Sequence, residues 1–517
     1  MSASSRAKVL PLLRSSLSAR NASGAAARRG GCWYSSVATG RVPLSRTATC
    51  HPSSSRSAGA APGKGCRAEG VRWNSTGGSD RVESVSSSSS SSSSSSAGSE
   101  AGESAASSQT SLGSESGAEE ARPTPRSFAF AFEPIPGAAE TLKFLQRSNI
   151  PFILLTNGGG KSEAERVADL TEKLGVDLDV SNFVQSHTPY QKLLDPDAEL
   201  GFPKLEEYLQ NSIGRPRFSG KETVLVLGSD ASKARRIANG YGFESVVTPG
   251  DILAACPEIF PFNPLREFYE KQEVLPLPKP VYSPSADPAV RLEDCLKIDG
   301  ILTFNDPRDW AVDIQLVTDL LLSHRGYLGT YSDKNGGGGG SVTKGDQWQN
   351  DGQPALIFSN VDLQWSTGYH QSRLGQGAFQ GAVERVFTKL ANKAHMKSFL
   401  FGKPWTPTYA HAWATLEQHR RRLGNGRLGA VYMVGDNLES DIRGTYLWNS
   451  HVQHSGLQRP LLGPYWKSCL VRTGVWKEEI RPIGQVAKGY KPRCVVDDVR
   501  AAVEMALKEQ HWPGMTE

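Results

Sequence analysis

The stretch Val431-Tyr432-Met433-Val434-Gly435-Asp436-Asn437-Leu438-Glu439-Ser440-Asp441-Ile442 constrains the fold more than any other. An apolar run stops at a glycine and hands two aspartates to a turn that opens a helix. The run reads as a buried parallel strand, and Gly435 lets the backbone turn sharply at its carboxyl end. In open α/β sheets that edge is where ligands bind. Two carboxylates there repel one another unless something positive lies between them. A hard divalent cation such as Mg²⁺ takes oxygen donors of this kind. Spacing alone serves a second reading equally well, in which Asp436 and Asp441 favour the N-terminus of the next helix by capping and by charge.

The same strand-to-helix punctuation recurs upstream. Phe128-Ala129-Phe130-Ala131-Phe132 is a short apolar strand that runs into Glu133-Pro134-Ile135-Pro136-Gly137, a helix start with proline near its first turn. Pro151 to Leu155 is a second strand, closed by Thr156-Asn157-Gly158-Gly159-Gly160, and Ser162-Glu163-Ala164-Glu165 begins a helix. Further strands are read at Thr223 to Leu227, Leu296 to Phe304, Ala355 to Phe358, Ser398 to Phe401, Cys469 to Val471 and Cys494 to Val496. Strands alternating with helices argue for parallel sheets joined by right-handed crossovers. The fold class is therefore α/β.

Charge is unevenly spread. The chain of 517 residues has 58 Lys and Arg against 53 Asp and Glu, a net +5. No acid precedes Glu69, while eleven basic residues do, so without them the chain nets −6. A nucleic-acid partner argued from overall charge fails on that count. Residues 1–34 are rich in Ser, Ala and Arg, with Val9, Leu10, Leu13 and Leu17 interleaved with Arg6, Arg14 and Arg20. That composition suits a mitochondrial transit peptide and delivery to the matrix, and also a plain basic tail. Residues 35–126, with the unbroken run Ser86 to Ser96, carry too little apolar surface to offset chain entropy and read as disordered. No apolar run is long enough for a transmembrane segment. The seven cysteines are scattered without a C-x-x-C pair, which argues against zinc and against a disulfide framework.

Three polar turns thus follow three apolar strands. A hydroxyl and backbone amides at Thr156-Asn157-Gly158 can hold phosphate oxygens at a helix N-terminus. Lys403, after Phe401-Gly402, offers a point charge to phosphate and to a neighbouring carboxylate. Asp436 and Asp441 can hold a metal ion that neutralises developing charge. His187 reads as a structural histidine, and Gly375-Gln376-Gly377 as a helix opening rather than a dinucleotide loop.

In this order the three turns resemble the second, third and fourth motifs of the haloacid dehalogenase (HAD)-like hydrolase superfamily. The long insertion between the second and third resembles subfamily IIA. Longer strings, Ile150 to Gly160, Gln185 to Tyr190, Phe304 to Trp310, Leu374 to Phe379 and Phe401 to Pro404, resemble a mitochondrial branch, the cat eye syndrome critical region protein 5 type. The resemblance covers about residues 127–510 and implies a Rossmann-like core, 127–187 and 373–510, with an inserted α/β cap of the C2 type, 188–372. It implies a Mg²⁺-dependent phosphatase acting on a small phosphate ester, linked to glycerophospholipid metabolism, and admits a homodimer. Lys403 would be catalytic, Thr156, Asn157 and Gly158 would bind phosphate, and Asp436 and Asp441 would bind Mg²⁺. The first motif of that family, Asp-x-Asp-Gly, supplies the nucleophile and the general acid/base. It should follow Phe132, and the chain continues there with Glu133 instead. Ile298-Asp299-Gly300 resembles it but reads as a cap strand. The alternative implied is a binding or regulatory protein of the same fold without turnover.

Overall fold

In the computed structural model the chain divides into two units, Met1–Ser116 and Gly117–Glu517. The described residues all lie in the second: 134–194, 203–262, 265–336, 347–365, 367, 369, 371–454, 463–512 and 514–515. The stretch read as a transit peptide, the Ser-rich segment, the strand read at Phe128–Phe132 and Glu133 lie outside the described residues.

The chain order is α1 (Ala138–Arg147), β1 (Leu154–Leu155), α2 (Glu163–Leu174), β2 (Phe183–Val184), α3 (Pro203–Ile213), β3 (Thr223–Leu227), α4 (Ala231–Tyr241), β4 (Ser245–Val247), α5 (Pro249–Ala255) and the short α6 (Arg266–Glu270). Then come β5 (Gly300–Thr303), α7 (Trp310–Leu322), β6 (Ala355–Phe358), the ribbon β7 (Gln364–Trp365) and β8 (Arg373–Leu374), α8 (Gln376–Leu390) and β9 (Phe399–Leu400). The last stretch holds α9 (Thr406–Arg422), β10 (Val431–Gly435), α10 (Arg443–His454), β11 (Trp466–Val471), β12 (Cys494–Val496) and α11 (Val499–Glu509). Among these helices none is long and apolar enough to cross a membrane.

The largest sheet is parallel, in the order β4-β3-β5-β6-β9. Side chains alternate across it. Leu225, Leu227, Ile301, Leu356 and Phe358 pack with residues of α5, α7 and α8. Val224, Val226, Leu302 and Ile357 face α3 and α4. Both faces are covered, which explains strands that are apolar almost throughout. Full burial of each such side chain stabilises the fold by about 1.5–3 kcal/mol. The Ile298-Asp299-Gly300 string runs into β5 at the centre of this sheet. Both α8 and β9 pack on the same sheet, although their sequence placed them in the second core part. The break between the two bodies therefore falls near Gly402.

The second body is built differently. β10, β11 and β12 form one parallel sheet, and β1 and β2 form another. No hydrogen-bonded ladder joins these two sheets among the described residues. They meet through side chains: Ile153 and Leu155 pack against Val431, Met433, Tyr409 and Trp448. Leu154 and Phe152 point the other way, into the cluster of α1, α2 and Leu507 on α11. α2 starts where its sequence says. Ser162 accepts from the Glu165 amide at 3.3 Å while Glu165 accepts from the Ser162 amide at 2.9 Å, a reciprocal cap.

Candidate active site

The carboxyl ends of β1, β6, β9 and β10 converge. Two residues past β9 comes Gly402, whose φ of +79° puts it in the left-handed region; a Cβ there would lie 2.6 Å from the Ser359 carbonyl oxygen. That turn delivers Lys403 inward. Its ammonium donates to Asp441 Oδ1 at 2.6 Å and to the Leu155 carbonyl at 3.3 Å. β10 ends in Gly435, and a Cβ on that residue would sit 2.2 Å from Asp441 Oδ2. Only glycine lets the strand end approach the carboxylate so closely. A π-type turn, Leu438–Ile442, then aims Asp441 back at the strand. The helix is capped by Asn437, which accepts from the amides of Glu439 at 2.9 Å and Ser440 at 3.4 Å. Capping therefore falls to Asn437, and Asp441 is free for the ion pair.

This pair is buried, with side chains 10% and 2% exposed for Lys403 and Asp441. Burial by itself lowers the Lys403 pKa, but Asp441, then Asp362 and Asp436, outweigh it and hold the ammonium above its ordinary value. Lys403 is thus a fixed positive charge at neutral pH. Asp441 Oδ2 accepts from the Asn437 amide at 3.0 Å, and Asp436 Oδ2 accepts from the Val475 amide at 2.7 Å.

Asn157 locks the site together. Its Nδ2 donates to the Lys403 carbonyl at 2.9 Å and to Asp362 Oδ2 at 3.0 Å, and its Oδ1 accepts from the Lys403 amide at 2.7 Å. A buried side chain so committed fixes the Lys403 backbone. Thr156 directly follows the Leu155 carbonyl, and its hydroxyl oxygen accepts from the Gly158 amide at 3.0 Å, so the Gly158 N–H is spent on the turn itself. The Thr156 hydroxyl proton remains available to an anion.

Asp362 went unnoticed in the sequence, although Ser359-Asn360-Val361-Asp362 closes β6 with the same polar punctuation as the other turns. Burial pushes its carboxyl up to about 6; Lys403 and Asn157 pull the other way, and Asp441 and Asp436 push with burial. Asn360 contributes as well, its Nδ2 donating to the Asn157 carbonyl at 3.1 Å. A second seam between the two bodies runs through His187, Tyr241 and Glu163. The Tyr241 hydroxyl donates to Glu163 Oε1 at 2.5 Å and sits 2.8 Å from His187 Nδ1. Burial holds the His187 imidazole down at about 4 despite the nearby Glu163, so it is neutral at pH 7.

The fit to a divalent cation is incomplete. Asp441 has both oxygens engaged, and one Asp436 oxygen is held by Val475. Among the described residues no group of three or more His, Cys, Asp or Glu is placed to hold a metal ion. Mg²⁺ demands near-octahedral oxygen donors, and these two aspartates by themselves do not supply a closed set.

Parallel sheets whose carboxyl edges meet over a buried lysine–aspartate pair define an α/β protein with its candidate site at the strand ends. The chain belongs to the haloacid dehalogenase-like hydrolases, whose family description matches residues 131–244. A mitochondrial hydrolase of Saccharomyces cerevisiae is 33% identical over 418 residues, 75% of this chain and 97% of that protein. A cardiolipin synthase (CMP-forming)/mitochondrial hydrolase fusion protein of Schizosaccharomyces pombe is 33% identical over 397 residues, 74% of this chain. The chain spans 54% of that fusion protein. Among solved structures, a glycerol phosphate phosphatase of Mycobacterium tuberculosis, in complex with calcium, aligns at 16% identity with a TM-score of 0.37, over 72% of this chain and 70% of that one. A hypothetical protein of Pyrococcus horikoshii aligns at 16% identity with a TM-score of 0.39, over 72% and 93%.

Proposed function

We propose that this chain is a mitochondrial phosphate-ester-binding protein with the site of a phosphatase and without its nucleophile. The observation that carries this reading is the buried Lys403–Asp441 pair, held against the Leu155 carbonyl beside Thr156. A fixed ammonium and a hydroxyl at a strand end suit phosphate oxygens. The Thr156 hydroxyl would donate to one oxygen and Lys403 would pair with another, while Asn157 keeps the lysine in register. Covalent catalysis by a carboxylate needs that carboxylate at the end of the first strand. No Asp-x-Asp-Gly string occurs anywhere in the chain. Once that segment is supplied, Asp436 and Asp441 would complete a Mg²⁺ site with it, and the metal would neutralise charge on the phosphoryl group.

The five-stranded body would act as the cap that selects the ester. A glycerophospholipid precursor is the substrate class supported by a relative fused to a cardiolipin synthase. The names of both relatives, together with the acid-free N-terminal stretch, support a mitochondrial location for this chain, and the matrix is the compartment proposed. A homodimer is compatible with the reading, and the acidic body speaks against a nucleic-acid partner.

The test is a pair of proteins, this chain and a version with an Asp-x-Asp-Gly segment placed after Phe132. This chain should bind inorganic phosphate without hydrolysing a panel of phosphate esters. The restored version should release phosphate in the presence of Mg²⁺, at least about a thousandfold faster. Turnover by this chain at the restored rate would overturn the reading. So would a restored protein that releases nothing.

A further inference from the structure

Two thiols face each other on the strands behind the Asp436 turn. Cys469 on β11 and Cys494 on β12 are register partners on adjacent parallel strands, and their sulfur atoms lie 3.0 Å apart. Both are free thiols. Adjacent strands run about 4.8 Å apart, within the Cα separations that a disulfide spans. The side chains therefore need no backbone rearrangement to join. Around them lie Val434, Val471, Val496, Ala502 and Met505, an apolar pocket that holds the pair in place. Cys469 is fully buried, whereas Cys494 is half-buried. Burial, then the neighbouring Cys494, raises the Cys469 thiol well above its ordinary value, and Cys494 is the more exposed of the two.

We propose that Cys469 and Cys494 are a modification site, an oxidisable dithiol that a small hydroperoxide converts to a disulfide between β11 and β12. The Cys494 thiolate attacks one peroxide oxygen; an S–O bond forms, the O–O bond breaks, and the other oxygen leaves as alcohol or water after taking a proton. Cys494 is then a sulfenic acid. The Cys469 sulfur attacks that sulfur, an S–S bond forms, and hydroxide leaves with the Cys469 proton as water. The two thiols lose two electrons and two protons in all, and the hydroperoxide is reduced. The link would fasten β12 to β11, the strand whose following loop carries the Val475 amide onto Asp436.

The experiment uses the full chain, reduced and then exposed to about one equivalent of hydrogen peroxide. Remaining thiols are blocked with N-ethylmaleimide, and the digest is read by mass spectrometry. The expected result is a Cys469–Cys494 linked peptide pair, two hydrogens lighter than the sum of its parts, as the dominant cross-link and reversed by dithiothreitol. Cys256 and Cys295, on the other body, should be recovered blocked. Recovery of Cys469 and Cys494 as separate blocked or over-oxidised peptides would overturn the proposal, and so would dominant pairing of either with a different cysteine. A Cys494→Ser chain should leave Cys469 unlinked under the same treatment; a Cys469 cross-link in that variant would also overturn it.

Discussion

The two bodies of this molecule are held together by different physics. The five-stranded sheet is complete, with helices on both faces and apolar side chains alternating into each. Its buried ion pair, Arg235 to Asp251 at 2.9 Å, is satisfied further by Thr248 at 3.2 Å and the Glu273 carbonyl at 3.1 Å, away from the site. The other body has its β1-β2 and β10-β11-β12 sheets joined by no described ladder, and polar pins meet across that space. There the carbonyl at the end of β1 accepts from a lysine. A region that keeps a charged pair in its interior gives up stability for a fixed geometry, because apolar packing would hold the same volume at no desolvation cost. Both bodies keep such a pair; Lys403–Asp441 is set apart by its place where the strand ends converge, whereas Arg235–Asp251 lies within the five-stranded body alone.

Substitutions that break each body should therefore separate stability from binding. Phe358→Ala, at a fully buried position in the five-stranded sheet, should cost about 3–5 kcal/mol in urea unfolding. It should leave phosphate affinity nearly unchanged in chains that remain folded. Lys403→Met should cost a comparable amount, about 3–5 kcal/mol, because Asp441 is left buried and unpaired. In this case phosphate binding, followed by calorimetry, should be lost as well. Adding Asp441→Leu to Lys403→Met should recover much of the stability and none of the binding. Equal effects of Phe358→Ala and Lys403→Met on binding would erase the distinction between the bodies.

The acid limb of stability sharpens the comparison at the seam. His187 titrates at about 4 in the fold, against roughly 6.5 in an unfolded chain. The unfolded state binds a proton that the folded state refuses, so this contribution is complete above about 6.5 and is lost as pH falls toward 4. Its size is on the order of 3 kcal/mol. Asp362 works in the opposite sense. Its carboxyl is raised to about 6, so its contribution is present at low pH and is lost as pH rises through that value. The two slopes oppose one another between about pH 4 and 6, so in unfolding curves Asp362→Asn should make stability fall more steeply on acidification than it does in this chain. A pH-independent midpoint in that variant would contradict the His187 assignment, and an unchanged slope would contradict the Asp362 assignment. A smaller change follows from Asn157→Ala, which leaves the Lys403 amide and carbonyl without partners. About 1–3 kcal/mol should be lost, with weakened phosphate binding, whereas a direct phosphate ligand would lose affinity at little cost in stability.

Much of the architecture could be read from residue order. Apolar runs ending in Gly-Asp, Thr-Asn-Gly and Gly-Lys mark strand ends, and strand ends in parallel sheets share an edge. The capped start of α2 at Ser162 and the central strand at Gly300 followed from local chemistry alone. The sequence also shows that Asp-x-Asp-Gly is missing, a fact no coordinate could add to. What it could not assign was membership. Residues 376–401 look the same whichever sheet they join, because an apolar strand carries no label for its neighbour; only pairing with β6 placed β9 in the five-stranded sheet. Nor could local pattern distinguish Asn157 as a phosphate ligand from Asn157 as the clamp on Lys403, or bring Asp362 into the site from 205 residues away along the chain. Strand ends and caps depend on a few neighbouring residues. Pairings between distant side chains depend on how the whole chain closes, and only the tertiary structure decides them.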